Sequence, residues 1–312
     1  MPLDQRGDSA HSVAMTGQQD YFSHLDGTGR AMASVARNPR LTVSVVAGMG
    51  IALAWLLLGV MAVRGAASRL PGADVPGDAV LEYLPLLPLP DFLARFFALC
   101  LAPAPLRASL GAQGGALTAM WLLMVIATML PSAAPMIRTY CEIADTARIK
   151  REPAVHPLIL VAGYLSVWLV ASAMFAALTL AIHAFASSGQ MLDPLVGIAG
   201  AAALSIAGLY QFSRLKEVCL DKCRNPFSVL FANWSARPIR ILRLGMKQGL
   251  WCLGCCWALM LVMFAVGVMN VFWMAMIGLF SLVEKRTAGN LPTRLAGAIL
   301  LVWAAALLVV ST

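Results

Sequence analysis

The chain has 312 residues, of which 60% are hydrophobic and only 12% charged, and its mean hydropathy is +0.78. Soluble domains carry about 25% charged residues, so a soluble globule of this composition could not cover its own surface, and lipid is the expected solvent. The formal net charge of +8 then argues for loops facing anionic lipid rather than for a nucleic-acid partner.

Residues 1–40 contain no apolar run, so no cleavable signal peptide is expected. MPLDQRGDSAHSVAMTGQQDYFSHLDGTGR (1–30) is polar and rich in Gly, Ser and Asp, the composition of a disordered cytoplasmic tail. His11, Met15 and His24 lie in it at spacings that fit no metal site. The expected division is a tail over 1–40 and an integral membrane metal-binding domain over 41–312.

Leu41–Val63 is uncharged and long enough to cross a bilayer. A long outer loop, Arg64–Arg107, follows. It contains PLLPLP, which favours extended chain, and DFLARFFALCLA (91–102), too short to span and read as an interfacial or re-entrant helix. The second span is placed at Ala116–Met136. Pro131 and Pro135 interrupt it and free backbone carbonyls, a feature tolerated where a cavity is lined. Pro157–Ala186 is the third span and Pro194–Ser213 the fourth, with Gly197, Gly200 and Gly208 suited to close helix packing.

Gln248–Val283 is a run of 36 residues without a charge. As one helix it would measure roughly 54 Å against a hydrocarbon core of ~30 Å. Two helices folded at Gly267–Asn270 fit better, because Gly and Asn are turn residues. Leu295–Thr312 closes the chain. This gives an all-α, polytopic transmembrane bundle of about seven spans. With the N-terminus cytoplasmic, the outer loops hold only Arg64, Arg69, Arg95 and Arg107 of the 23 Lys and Arg residues, which sets the orientation. RPIRILRLGMK (237–247) reads as a basic amphipathic stretch on the inner leaflet. Tyr210, Trp234 and Trp251 fall near the expected interfaces and need no further role.

Six of the seven cysteines then gather near the cytoplasmic face, with Cys100 alone outside. Cys141 follows span two, Cys219 and Cys223 lie in the basic loop CLDKC, and Cys252, Cys255 and Cys256 stand in CLGCC. A reducing cytosol leaves them as thiols, available as ligands or nucleophiles. Cys219 and Cys223 share one face of a helix, and Lys216, Lys222 and Arg224 are expected to favour their thiolates. Cys252, Cys256, Met260 and Met263 form a sulfur stripe running from the inner surface toward the membrane centre. Span two adds Met120, Met124, Met129 and Met136. Such ligands favour Cu(I), while four thiolates would also suit Zn(II). His156 and His183 are the histidines near the spans. Carboxylates are absent from the expected spans, which argues against Mg, Ca or Mn and against a proton-relay pump. Methionine stripes and single cysteines are ordinary core fillers. Packing alone does not require two paired-cysteine motifs on one side of the membrane.

Three stretches, MWLLMVIATMLPSAAPM (120–136), GLYQFSRLKEVCLDKCRNP (208–226) and GLWCLGCCWALMLVMFAVGVMN (249–270), resemble the bacterial predicted metal-binding integral membrane proteins. That family includes a copper chaperone partnering a polyphenol oxidase, and the resemblance covers about residues 40–312. It implies a multi-pass protein of the bacterial inner membrane that binds copper through Cys219, Cys223, Cys252, Cys255 and Cys256. The expected function is that of a Cu(I) chaperone or transporter delivering copper to a copper enzyme, with that enzyme or a soluble copper carrier as partner. Two readings compete with it: a membrane thiol–disulfide oxidoreductase working through the cysteine pairs, and a structural subunit of a membrane complex.

Overall fold

The structure is a computed structural model and describes residues 38–67, 90–101, 109–187, 193–267 and 270–311. The expected tail up to residue 37, with His11, Met15 and His24, lies outside these residues, as does PLLPLP up to residue 89. The chain divides into two compact units, residues 1–46 and 47–312. In the first unit, Asn38 opens the first helix by accepting the Arg40 amide at 3.1 Å. The second holds the bundle described below.

Among the described residues the secondary structure is entirely helical. In chain order the helices are α1 (Pro39–Ala67), α2 (Asp91–Leu101), α3 (Leu110–Ile149), α4 (Pro157–Ser187), α5 (Asp193–Gln211), α6 (Arg214–Arg224), α7 (Pro226–Ala232), α8 (Pro238–Val266), α9 (Val271–Arg286) and α10 (Leu291–Ser311). Five of them, α1, α3, α4, α8 and α10, are long and apolar enough to cross a membrane. The other two expected spans form α5, with 19 residues, and α9, with 16. Large apolar side chains point outward, including Leu53, Met174 and Val302, as expected of a bundle solvated by lipid.

The uncharged run divides where its turn residues stand. Gly267 ends α8 at φ 98°, a conformation that a residue with a Cβ rarely adopts. Asn270 then caps α9, its Oδ1 accepting the Trp273 amide at 3.2 Å. The basic stretch 237–247 is continuous with the apolar part of α8. Ile241 and Leu244 are buried, while Arg240, Arg243 and Lys247 are exposed, which keeps the expected amphipathic split. DFLARFFALCL (91–101) forms α2, which packs on α3 with Phe97 and Cys100 buried.

Prolines do not end α3. It runs for 40 residues through Pro131 and Pro135. Pro131 has no N–H for the Ala127 carbonyl, and the Trp55 indole supplies the missing donor at 3.0 Å. Within α3, Thr118, Thr128 and Thr139 donate to the carbonyls of Gly114, Met124 and Pro135.

The core forms where α8 packs on α4, α5 and α6, with α3 against α4 and α9. Trp121 is fully buried. It stacks on Phe175 and Phe264, with centroids at 4.8 and 5.4 Å, and donates to Thr179 Oγ1 at 3.1 Å. The α4–α8 crossing is closer than side chains permit. A Cβ at Gly163 would strike the Leu242 carbonyl, and one at Gly245 would strike that of Leu160. Of the glycines expected to pack in α5, Gly208 lies against Leu301 and the Gly297 carbonyl of α10.

Candidate metal centre

Helical spacing builds the first part of the site. Positions i, i+3 and i+4 share one face, so CLGCC turns Cys252, Cys255 and Cys256 the same way. Their Sγ atoms lie within 4.8 Å of one another, and all three side chains are buried. The thiols of Cys255 and Cys256 both donate to the Cys252 carbonyl, at 3.1 and 2.7 Å. Met260 and Met263, further along α8, are buried as well.

The second part comes from α6. Ser213 caps this helix by accepting the Lys216 amide at 3.2 Å, and the expected helical register of Cys219 and Cys223 is observed. Cys219 is buried against Gly254 of α8, where a Cβ would lie 2.6 Å from its sulfur. The Cys223 thiol is hydrogen-bonded to Cys255. Both α6 cysteines therefore reach the CLGCC segment.

Their electrostatics differ from the sequence expectation. Lys216 is fully buried and engaged elsewhere, with Nζ 2.8 Å from Glu284 Oε1 and donating to Gln211 Oε1. Arg224 donates to the carbonyls of Glu284 and Gly289. Burial, followed by the neighbouring Cys255, pushes the Cys219 thiol up. The hydrogen bond with Cys255, followed by burial, holds Cys223 well above the ordinary thiol range. Both effects oppose ionisation of Cys219 and Cys223. The cation that meets the cysteines is Lys285 of α9, whose Nζ lies 3.1 Å from Cys252 Sγ.

Lys285 closes a polar ring around Cys252. Its ammonium also donates to Ser132 Oγ at 2.7 Å. Ser132 donates to the Met129 carbonyl at 2.7 Å, and the Tyr164 hydroxyl donates to the same carbonyl at 3.2 Å. Tyr164 returns to Cys252, its oxygen 3.0 Å from Sγ. Helices α3, α4, α8 and α9 each supply one side of this ring. Met129 contributes through its backbone, and Met120, Met124 and Met136 are buried along α3.

The remaining sulfur and imidazole groups stand apart in their contacts. Cys100 donates to the Ala116 carbonyl at 3.6 Å. His183 Nδ1 lies 2.8 Å from the Thr179 carbonyl of its own helix, and His156 Nδ1 accepts the Leu158 amide at 3.2 Å. Cys141 is buried in α3.

Sequence reasoning missed Lys285, Tyr164, Ser132 and Glu284 as members of a site. The uncharged run stops at Val283, which leaves Glu284 outside the expected span. In the structure it is buried at the end of α9, paired with Lys216 and accepting from Thr293 at 2.7 Å. The only signal in the sequence was a charged Glu-Lys pair directly following an apolar helix.

The donors of the triad are all sulfur, without a carboxylate or imidazole in the cluster. Such a set suits a soft monovalent ion, and Cu(I) fits it. Residues 118–307 match the model of a family described as PpoB2, copper chaperone. No curated protein and no solved structure matches.

Proposed function

The chain belongs to the PpoB2 copper chaperone family, and from that premise we propose that it captures Cu(I) on Cys219, Cys223, Cys252, Cys255 and Cys256 and delivers it to a copper enzyme. Copper is cargo in this reading. The observation that carries it is the buried triad of sulfurs within 4.8 Å with an ammonium 3.1 Å from one of them. Thiolates gathered in an apolar bundle carry a net negative charge that burial penalises. A monovalent ion and Lys285 offset that charge together. Met260 and Met263, buried in the same helix, extend the sulfur path with weaker thioether ligands. Weak successive sites suit release, since the ion must leave as well as enter.

Seven crossings and a cytoplasmic N-terminus rest on apolar length and charge placement in the sequence and put the cysteines on the cytosolic side. Residence in a bacterial inner membrane rests on the family resemblance. Capture is then ligand exchange, without enzymatic turnover. Zinc is the competing ion, because the Cys223–Cys255 contact supplies a fourth sulfur.

Anaerobic Cu(I) loading of the full chain in detergent tests the proposal. Wild type should retain copper under reducing conditions and show sulfur-to-metal absorption. Cys→Ser at 252, 255 or 256 should abolish both while the protein still inserts, and zinc should not displace the copper. Stoichiometric copper in a protein lacking all five cysteines overturns the reading. So does a Cys219–Cys223 or Cys255–Cys256 disulfide that cycles in cells without bound metal.

A further inference from the structure

Cys219 looks two ways. On one side its sulfur rests on Gly254, the residue before Cys255. On the other it lines a cleft of about 800 Å³ between α5, α6, α7 and α8. Among the described residues it is the one cysteine of the five that does so. The long wall is α8, with Lys247, Trp251, Gly254 and Trp257 spaced along one face. The charged side chains lining the cleft are Lys222 and Lys247, both exposed, and no acid lines it among the described residues. Gly254 lines the cleft and directly precedes Cys255 of the triad. Its carbonyl is held by the Tyr210 hydroxyl, and its missing side chain is what admits the Cys219 sulfur.

We propose that this cleft is the loading site of the metal centre, where Cu(I) carried by an anionic low-molecular-weight thiol is passed first to Cys219 and from there to Cys255. The inference rests on the copper reading of the five cysteines and adds the route and the donor class. The cleft volume is that of a small-molecule site, about 300–1,000 Å³, too small to admit a folded carrier. The lysines match the negative charge of a Cu(I)–thiolate complex, and the indoles cover its apolar part. The step is an exchange of like for like. The copper–sulfur bond to the donor breaks as the bond to Cys219 forms, and the Cys219 thiol proton goes to the departing donor thiolate. Copper stays Cu(I). The second exchange repeats this, with the Cys255 proton returning to Cys219.

Loading rates of the full-length protein in detergent, followed by rapid mixing, provide the test. Two donors are compared, the anionic Cu(I)–glutathione complex and the cationic Cu(I)–acetonitrile complex. Lys222→Glu combined with Lys247→Glu should slow loading from glutathione by about tenfold or more at low salt. The difference should shrink as ionic strength rises. Loading from acetonitrile should not be slowed, and the final copper content should match wild type. Cys219→Ser should slow both donors and still fill the triad. Wild-type rates from glutathione in the double variant overturn the loading cleft while leaving the copper reading intact. Equal slowing of both donors in that variant also overturns it, and marks the cleft as packing filled by lipid. A wild-type protein that takes copper from neither donor removes the copper reading and the cleft with it.

Discussion

Lys285 Nζ stands 3.1 Å from Cys252 Sγ, although 33 residues of chain separate them. An ammonium that reaches a cluster of thiols is a counter-charge in waiting. It stabilises any state in which the sulfurs give up protons to a metal. Ser132 holds it there by accepting a second hydrogen bond at 2.7 Å.

Lys285→Met should therefore lower Cu(I) affinity by about 10–100-fold, the range for groups that support metal ligands from behind. Lys285→Arg keeps the charge and should lose less. Competition against a chromophoric Cu(I) chelator gives the affinity. An unchanged value for the methionine variant would falsify the counter-charge role.

A second prediction concerns the neighbouring residue. Glu284 and Lys216 form a pair at 2.8 Å with both side chains buried. Removing one partner leaves an uncompensated buried charge, at a cost of about 3–5 kcal/mol. Glu284→Leu and Lys216→Met should each lower the unfolding midpoint in detergent markedly. The double variant Lys216→Met/Glu284→Leu should recover most of the loss. Additive losses in the double variant would show that the two residues act separately.

The α4–α8 crossing yields a third. A methyl at Gly163 or Gly245 meets a backbone carbonyl, which cannot rotate aside as a side chain would, so the helices must part. Gly163→Ala and Gly245→Ala should each cost about 1–3 kcal/mol. They should also loosen the Tyr164–Cys252 contact, since Gly249 lies on the Tyr164 carbonyl. Gly115→Ala, with no atom within 4 Å of its Cβ, should be neutral or stabilising by about 0.5–1 kcal/mol. Thermal unfolding of the three variants decides it, and equal midpoints would defeat the argument.

Cys100 supplies the fourth. Burial pushes its thiol up to about 12, so the reactive thiolate is scarce across the usual range. Relative to an ordinary thiol, the fraction ionised at pH 8 falls by about 1,000-fold. Alkylation at Cys100 should be slow at pH 8 and speed up as pH rises toward 12. Mass spectrometry after timed iodoacetamide treatment reads the rate. Fast modification at pH 8 in folded protein would contradict the burial.

Much of the architecture was legible because lipid imposes it. Uncharged length marked the helices, and Gly267 with Asn270 marked the break between α8 and α9. The convergence within CLGCC was also local, since the 3.6-residue period alone places Cys252, Cys255 and Cys256 together. What the sequence hid was non-local. Nothing around Lys216 in the chain points to Glu284, yet Glu284 is its partner. Proximity in sequence made Lys216 a candidate to ionise Cys219, whereas folding brought Lys285 to the cysteines instead. The inward turn of Lys285 depends on how α9 lies against α3, and no period in the sequence encodes that.

The Trp55 hydrogen bond fixes an azimuth. Helix α1 shows lipid much of its surface, with Met49, Leu53 and Leu56 all exposed. Apolar contact with lipid barely distinguishes one rotation of such a cylinder about its long axis from another. A single directional bond does. Only one angular setting aims the indole N–H at the carbonyl left open by Pro131, and in hydrocarbon an unanswered carbonyl is costly. The proline in α3 thus gives a different helix a directional restraint, added to the packing of its buried Ala54, Leu58 and Met61, and Trp55→Phe would remove that restraint while leaving the apolar packing of α1 in place.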